Sequence, residues 1–235
     1  MTGHNQEYNF RIVLFAKNED LNIPFIIERL LRNYGADKII AILDGNIEPT
    51  VRILEEKKVK YIQGPNKGKG ATLRTAIQNI ESDILVFMDA DGSHNPDEIE
   101  ILLKPLINNE ADMVIASRLL GGSEELGGSI DNSIRYLGNV LGNYVINFLW
   151  NRNNKMISDC QNGFRAIKRK AALDINLKEN GFPVEQEMVI KCLKKGYKII
   201  EVPSFELKRK YGKSHISKIH LCYYIMCIIK NLFRE

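Results

Sequence analysis

The four cysteines, Cys160, Cys192, Cys222 and Cys227, form no CxxC pair and no zinc-type spacing. That argues against a zinc-ribbon or CxxC redox protein and makes a reduced, cytosolic setting the default. No apolar run is long enough to span a bilayer, and the polar N-terminus carries no secretory signal. Internal repeats and low-complexity tracts are absent. The GK[ST] ending of a Walker A loop is missing, and no GxGxxG follows the first apolar segment, so P-loop and dinucleotide folds are not expected. Charge is close to balanced, with 33 basic and 29 acidic residues for a net +4. This mild excess fits an anionic ligand or an anionic membrane surface without selecting one, and no nucleic-acid partner is expected.

What is present centres on one stretch. Ile84 to Met88 is an almost continuous apolar run, which reads as a strand buried on both faces, as in a parallel sheet. It stops at Asp89 and Asp91. Residues two apart in an extended chain point the same way. Two acids therefore converge where a buried strand surfaces, the edge at which open α/β sheets bind ligands. Carboxylates this close repel unless a cation lies between them or one takes a proton. With few other ligands nearby, they suit Mg²⁺ or Mn²⁺ held jointly with substrate phosphates. An acidic turn capping the next helix would explain Asn95 and Pro96, but not the two acids upstream.

The rest of the chain alternates strand-like and helical patterns. Strands are expected at Phe10 to Ala16, Lys38 to Leu43, Val59 to Ile62, Asp112 to Ser117 and Lys198 to Val202. Helices are expected from Ile23 to near Gly35, around Val51 to Lys57, over Pro96 to Ile107, and from Phe182 to Lys195. This order predicts an α/β fold with a parallel sheet and right-handed crossovers. At 235 residues, 44% of them hydrophobic, the chain is long enough for one large α/β domain or a domain with an appendage.

Several polar features fall near the predicted strand ends. Glu19 and Asp44 are acids able to bond a base N–H or ribose hydroxyls, although Asp44-Gly45 alone is equally a turn pair. Gln63 to Arg74 is a loop of glycines and lysines that opens a helix, as phosphate-approaching loops do. Arg118 follows a strand and offers a fork that matches phosphate oxygens. Leu119 to Ile130, with four glycines, reads as a mobile loop and candidate lid. Asp131 to Trp150 is a helix with a broad apolar face, suited to the core, a membrane surface or a lipid groove. A basic loop, Lys208 to His215, precedes the apolar helix Ile216 to Phe233. That helix is too short to span a bilayer but suits an interface or a partner.

Taken in order, eight segments resemble the family 2 inverting glycosyltransferases of the GT-A fold. They are KNE at 17–19, Asp44-Gly45, GPNKGKGATLRTAI at 64–77, MDADGSHNP at 88–96, ASR at 116–118, SDCQNGFRA at 158–166, EQEM at 185–188 and RKYGKS at 209–214. Within that family they are most similar to the polyprenyl- and dolichyl-phosphate sugar synthases. The resemblance spans about Phe10 to His215. It implies a GT-A domain over 1–212, with 131–150 as an acceptor- or membrane-facing helix, and a C-terminal interfacial helix over 213–235. It implies transfer of a hexose from a GDP- or UDP-linked sugar to a polyprenyl phosphate, with Mg²⁺ or Mn²⁺ as cofactor. The protein would sit peripherally at the cytoplasmic face of a membrane, or beside a membrane-spanning partner.

The resemblance also assigns residues. Asp89 and Asp91 would hold the metal and donor diphosphate, with Ser93 as a further metal position. Ala16, Glu19, Asp44, Lys67 and Ala90 would line the donor. Arg118 would share the diphosphate charge. Arg135, Arg209, Ser214 and His215 would meet the acceptor or its phosphate, and Asp159 would serve the acceptor side. The sequence departs from the family where Phe15, Ala16 and Lys17 replace proline, threonine and tyrosine. Leu43 replaces an aspartate, Ser93 a glutamine and His215 a lysine. These departures leave mannose, glucose and N-acetylhexosamine donors equally open. A lipid phosphate with a second pKa of about 6 is largely ionised at neutral pH and needs no strong base. A glycan hydroxyl would need one, and Asp159 is the candidate. A distant rival is the haloacid-dehalogenase phosphatases, which share DxDG[ST] but need a later acidic pair that is missing here.

Overall fold

The structure is a computed structural model that describes residues 8–124, 130–152, 155–211 and 219–233. β1 (Phe10–Lys17) leads through α1 (Ile23–Asn33) to β2 (Ile39–Asp44), and α2 (Glu48–Glu56) leads to β3 (Lys60–Gln63). α3 (Lys69–Asn79) precedes β4 (Ile84–Asp89). A 3₁₀ turn (Pro96–Glu98) runs into α4 (Ile99–Ile107), then β5 (Met113–Ser117), the short α5 (Arg118–Gly121) and the long α6 (Ile130–Trp150). β6 (Arg165–Lys168), α7 (Arg169–Asp174), α8 (Val184–Lys194), β7 (Ile199–Pro203) and α9 (Ile219–Phe233) follow.

Local chemistry accounts for the boundaries. In α1, Ile23, Ile26, Ile27 and Leu30 are buried, which is the one-face spacing of a helix lying on a sheet. The Asn95 side chain accepts a hydrogen bond from the Asp97 amide at 3.2 Å, capping the turn that starts at Pro96. The helix expected from Pro96 therefore starts as 3₁₀ before it becomes α. Leu119 to Ile130, expected as an open loop, begins instead with α5, and residues 125–129 lie outside the described set.

The seven strands order as β3-β2-β1-β4-β6-β5-β7. All neighbours are parallel except β6, which is antiparallel to both β4 and β5. The reason is connectivity. β5 ends at the same edge as β1, β2 and β4, and after α6 the chain re-enters the sheet from that edge. Alternation along the strands then builds two cores. Val13, Phe15 and Phe87 face one layer with α3 and α8, while Ile12, Leu14 and Val86 face the other with α1 and α4.

α9 is part of the first layer. Its Cys227 and Asn231 are fully buried. Gln186 of α8 donates to the Tyr224 carbonyl at 2.9 Å, and the Lys194 ammonium donates to the Asn231 carbonyl at 2.8 Å. The C-terminal helix is thus packed on the domain. Its opposite side leaves Tyr223, Ile225, Met226 and Ile229 about half exposed. No helix among the described residues is long and apolar enough to cross a membrane.

Candidate active site

Register brings the strand ends together. Phe15 pairs with Asp89 across β1 and β4, and Lys17 pairs with Asp44 across β1 and β2. The C-terminal ends of three adjacent parallel strands therefore meet at one edge, with Asp44 and Asp89 on it. Beyond β4, Gly92 takes a positive φ of 85°, which glycine adopts without penalty, and the chain turns back. Ala16, Glu19, Asp44, Lys69, Asp89, Ala90, Asp91 and Arg209 line a cleft of about 270 Å³ at this edge.

Each acid of the Asp89/Asp91 pair has its own cation. Lys69 Nζ lies 2.8 Å from Asp89 Oδ2 and 2.8 Å from Glu185 Oε1. Arg209 Nη2 lies 3.1 Å from Asp91 Oδ2. The other Asp91 oxygen accepts from the Ser93 amide at 3.0 Å and the Ser93 hydroxyl at 2.7 Å. The Asp89 amide donates to His94 Nδ1 at 3.1 Å, and the His94 ring stacks on Phe164 with centroids 5.1 Å apart. Burial pushes the Asp89 carboxyl up, but Lys69, with His94 and Arg209, outweighs it and holds the group below its ordinary value. Burial likewise disfavours the charged form of Lys69, and Asp89 and Glu185 reverse that and raise it. Burial raises Glu19.

A glycine and a backbone turn make room for this arrangement. A Cβ on Gly163 would stand 2.8 Å from Lys69 Nζ and 2.9 Å from Asp89 Oδ2, so only glycine fits there without displacing the ion pair. The Gly68 φ of 97° swings the loop so that Lys69 enters the cleft while Lys67 is exposed and outside it. Asp44 fixes the same loop, accepting from the Asn66 amide at 2.9 Å and from the Thr72 hydroxyl.

Lys69→Met is expected to lower the melting temperature by about 5–10 °C near neutral pH, because it leaves two partly buried carboxylates facing each other. Without the ammonium, the burial that opposes ionisation of Asp89 loses its main counterweight, and the native pKa of Asp89 rises. An acid with a raised native pKa binds protons more tightly when folded, so the loss grows as pH rises through the carboxylate range. Melting curves at about pH 4.5 and 7.5 should show the gap to wild type narrowing at the lower pH. A gap independent of pH would refute the bridge.

A second cluster lies just beyond the C-terminal end of β5. Arg118 grips Asp159 as a fork, Nε to Oδ2 at 2.8 Å and Nη2 to Oδ1 at 2.9 Å. Its third nitrogen, Nη1, lies 3.3 Å from Glu206 Oε1. Asp159 is placed for this by Glu201, which accepts the Asp159 amide at 2.7 Å and the Ser158 amide at 2.8 Å. Burial raises Asp159, but Arg118 outweighs it and keeps the carboxyl below its ordinary range. Burial raises Glu201.

The sequence-expected residues thus divide. Ala16, Glu19, Asp44, Asp89, Ala90, Asp91 and Arg209 share one cleft. Arg118, expected at the diphosphate, is not among the cleft-lining residues, because Asp159 and Glu206 take its guanidinium. Ser93 is buried behind Asp91 and spends its hydroxyl on that carboxylate. Arg135 stands on α6 with its side chain outside the described set, and Ser214 and His215 also lie outside the described residues.

Two residues went unassigned in the sequence reading. Lys69 stands in a loop already quoted for its lysines, and only the Gly68 turn tells it from Lys67. Arg165 is fully buried and donates to main-chain carbonyls alone. Its Nη1 bonds Glu185 at 2.9 Å, Nε bonds Asn162 at 2.9 Å, and Nη2 bonds Cys160 at 3.1 Å and Asn162 as well. A charge inside the strand-like run FRAI was its sequence signal.

Known proteins are similar to this chain in sequence and in fold. A UDP-N-acetylglucosamine–dolichyl-phosphate N-acetylglucosaminyltransferase of Methanococcus voltae is 26% identical over 224 residues, covering 86% of each chain. An undecaprenyl-phosphate mannosyltransferase of Micrococcus luteus is 25% identical over 213 residues, covering 85% of this chain and 84% of its own. Among solved structures, glucosyl-3-phosphoglycerate synthase from Mycobacterium tuberculosis, in complex with Mn²⁺, UDP and glucosyl-3-phosphoglycerate, superposes with a TM-score of 0.74. At 16% identity it covers 97% of this chain and 81% of its own, which establishes the GT-A fold. The sequence model of glycosyl transferase family 2 matches residues 11–174, a span that holds β1 through α7 and with them the Asp89/Asp91 edge, Lys69 and the Arg118–Asp159 fork. With most of its length matched in this way, the chain belongs to glycosyl transferase family 2.

Proposed function

We propose that this protein moves a hexose from a GDP- or UDP-linked sugar to a polyprenyl phosphate. The observation that carries this reading is the Asp89/Asp91 cleft on a domain that also exposes two apolar helix faces. α6 packs on α9. α6 exposes Leu141, Tyr144 and Phe148, and α9 exposes Ile225 and Ile229. Exposed apolar helix faces of this kind suit an interaction or membrane site. The named activities of the bacterial and archaeal relatives, both on lipid phosphates, support the same acceptor class.

The donor set fits a hard divalent ion. Asp89 and Asp91 both line one cleft, and Mg²⁺ or Mn²⁺ takes one or two carboxylates together with substrate phosphates. Held there, the ion would neutralise charge on the departing nucleoside diphosphate. The protein's own part is positional. Lys69 and Arg209 hold the two acids in place, Ser93 orients Asp91, and Asp44 shapes the loop beside the cleft. The mixed charge of the cleft offers cations to a diphosphate without leaving either carboxylate unpaired.

The acceptor side favours a phosphate over a hydroxyl. A base needs a proton affinity suited to its task. Asp159 accepts two Arg118 N–H groups at Oδ2 and a third at Oδ1, and the pairing with Arg118 depresses its proton affinity. An ionised lipid phosphate needs no such base. Transfer to a glycan hydroxyl with Asp159 as base remains the second reading. Family membership removes the phosphatase rival.

The test is sugar transfer in detergent to a polyprenyl phosphate from GDP-mannose, UDP-glucose and UDP-N-acetylglucosamine, each with Mg²⁺, Mn²⁺ or chelator. Metal-dependent formation of one lipid-linked sugar is expected. Donor hydrolysis with no lipid product would move the acceptor to a hydroxyl. The surface role is tested separately. Leu141→Glu with Phe148→Glu should reduce sedimentation with anionic liposomes by at least about tenfold, since each side chain can bury about 1.5–3 kcal/mol of apolar surface. Melting should be unchanged because both are exposed. Equal partitioning of the variant and wild type would overturn that role.

A further inference from the structure

Along a strand the amides point alternately to the two neighbouring strands. At the end of β4 the Ala90 amide turns to β1 and donates to the Phe15 carbonyl at 2.9 Å. The Asp89 amide therefore points the other way, to the β6 side. Pairing with β6 stops at Phe87 and Arg165, before Asp89 is reached. The Phe164 carbonyl, just ahead of β6, is spent on β5, where it accepts from the Ala116 amide at 3.0 Å. The Asp89 amide thus emerges beyond the ladder. His94 meets it there, Nδ1 accepting at 3.1 Å. An amide nitrogen only donates, so the bond uses the Nδ1 lone pair. The imidazole is buried, 5% exposed, and lies almost parallel to the Phe164 ring, 15° between the planes.

This bond also closes the turn that carries both acids. The chain runs from Asp89 through Asp91, reverses at Gly92 and returns at His94, so the bond ties the two ends of the turn with Asp91 between them. From outside, the Leu207 amide donates to the Ser93 carbonyl at 2.9 Å. The restraints on the acids differ in kind. Lys69 and Arg209 hold carboxylate oxygens, and a metal cation entering between the acids competes for those same oxygens. The His94 bond goes to the main chain and spends no carboxylate oxygen, so it is compatible with a bound cation.

We propose that His94 is a positioning residue for the divalent ion. Through the Asp89 amide it sets the spacing of Asp89 and Asp91, and so raises the affinity of the pair for the metal. The assignment rests on the metal reading of that pair and adds a residue that is not itself a ligand. Groups that orient metal ligands are typically worth about 10–100-fold in affinity. The rival explanation is that the buried ring serves only to fill space against Phe164.

Substitutions that separate the acceptor from the ring decide between them. His94→Asn places its Oδ1 as many bonds from the backbone as Nδ1, so it keeps an acceptor and loses the stacked ring. His94→Phe keeps a ring against Phe164 and loses the acceptor. His94→Leu also loses the acceptor, and its smaller side chain guards against misfolding of the phenylalanine variant. Mn²⁺ binding to the full chain is read from the paramagnetic resonance of the free ion, with Mn²⁺ alone and with UDP or GDP added. The phenylalanine and leucine variants should raise the Mn²⁺ Kd about tenfold or more, and the asparagine variant should stay within about threefold of wild type. In donor turnover, the Mn²⁺ concentration for half-maximal rate should shift by the same factors, while the rate at saturating Mn²⁺ falls by less than about threefold. An asparagine variant that loses as much affinity as the leucine variant, or no loss in the variants without an acceptor, overturns the positioning role and leaves the metal site standing. A wild type that binds no Mn²⁺ under either condition overturns the metal site and this role together.

Discussion

Asp91→Asn is expected to cut sugar transfer about a thousandfold while leaving the melting temperature close to wild type. Asparagine is nearly isosteric and keeps an oxygen able to accept from the Ser93 amide and hydroxyl, which bond Asp91 Oδ1 at 3.0 and 2.7 Å. The turn at Gly92 should therefore survive. What disappears is the negative charge that faces Arg209 and the cleft. Removing one preorganised electrostatic group from a reacting site costs about 10²–10³ in rate, and a site built on two carboxylates loses half of its charge for a cation. The measurement is the initial rate of lipid-linked sugar formation at saturating donor, beside a thermal melt. Turnover within about threefold of wild type would remove Asp91 from the reaction, because so small a change is about 0.6 kcal/mol of barrier.

The second large effect is on stability. Arg165→Met should lower the melting temperature by about 10 °C, from a loss of about 3 kcal/mol in a chain of this size. The guanidinium is fully buried, and its bonds go to the carbonyls of Cys160, Asn162 and Glu185. Each carbonyl left without a donor costs about 1–3 kcal/mol, and removing a buried charge offsets part of the sum. Burial already pushes the Arg165 pKa down, which shows that desolvation is part of that balance. The same bonds tie the 160–163 turn, which carries Gly163, to Glu185, the partner of Lys69. Transfer should therefore fall along with stability. Arg165→Lys, which can reach fewer of the carbonyls, should melt between the two. A methionine variant within about 3 °C of wild type would show that the turn holds without it.

Much of this architecture was legible beforehand for a simple reason. Runs such as IVLFA and ILVFM are apolar at every position, and a run this short, rich in β-branched and aromatic residues, reads as a strand covered on both faces. Helical spacing at Ile23, Ile26, Ile27 and Leu30 needed no tertiary information. The pair Asp89 and Asp91 was legible because period two places both acids on one side of an extended chain. β6 was harder, since its direction depends on which edge the chain returns from after α6, and four residues carry no sign of that. The C-terminal helix read as an appendage because Tyr224, Cys227 and Asn231 are spread among apolar neighbours. Only α8, through Gln186 and Lys194, shows which side is inside.

Spacing along the chain was enough for the α/β class, the strand that ends in two acids, and the family resemblance of the ordered segments. The tertiary structure alone decided which charge meets which. Lys67 and Lys69 are equivalent on paper, yet the positive φ of Gly68 sends one to solvent and the other to Asp89 and Glu185. Arg118 and Asp159 are 41 residues apart and were assigned separate tasks, yet β5 and the 158–163 turn bring them into one fork. Pairing of buried charges is set by distance and by what else is near. Those quantities exist only once the strands, turns and helices have been packed together.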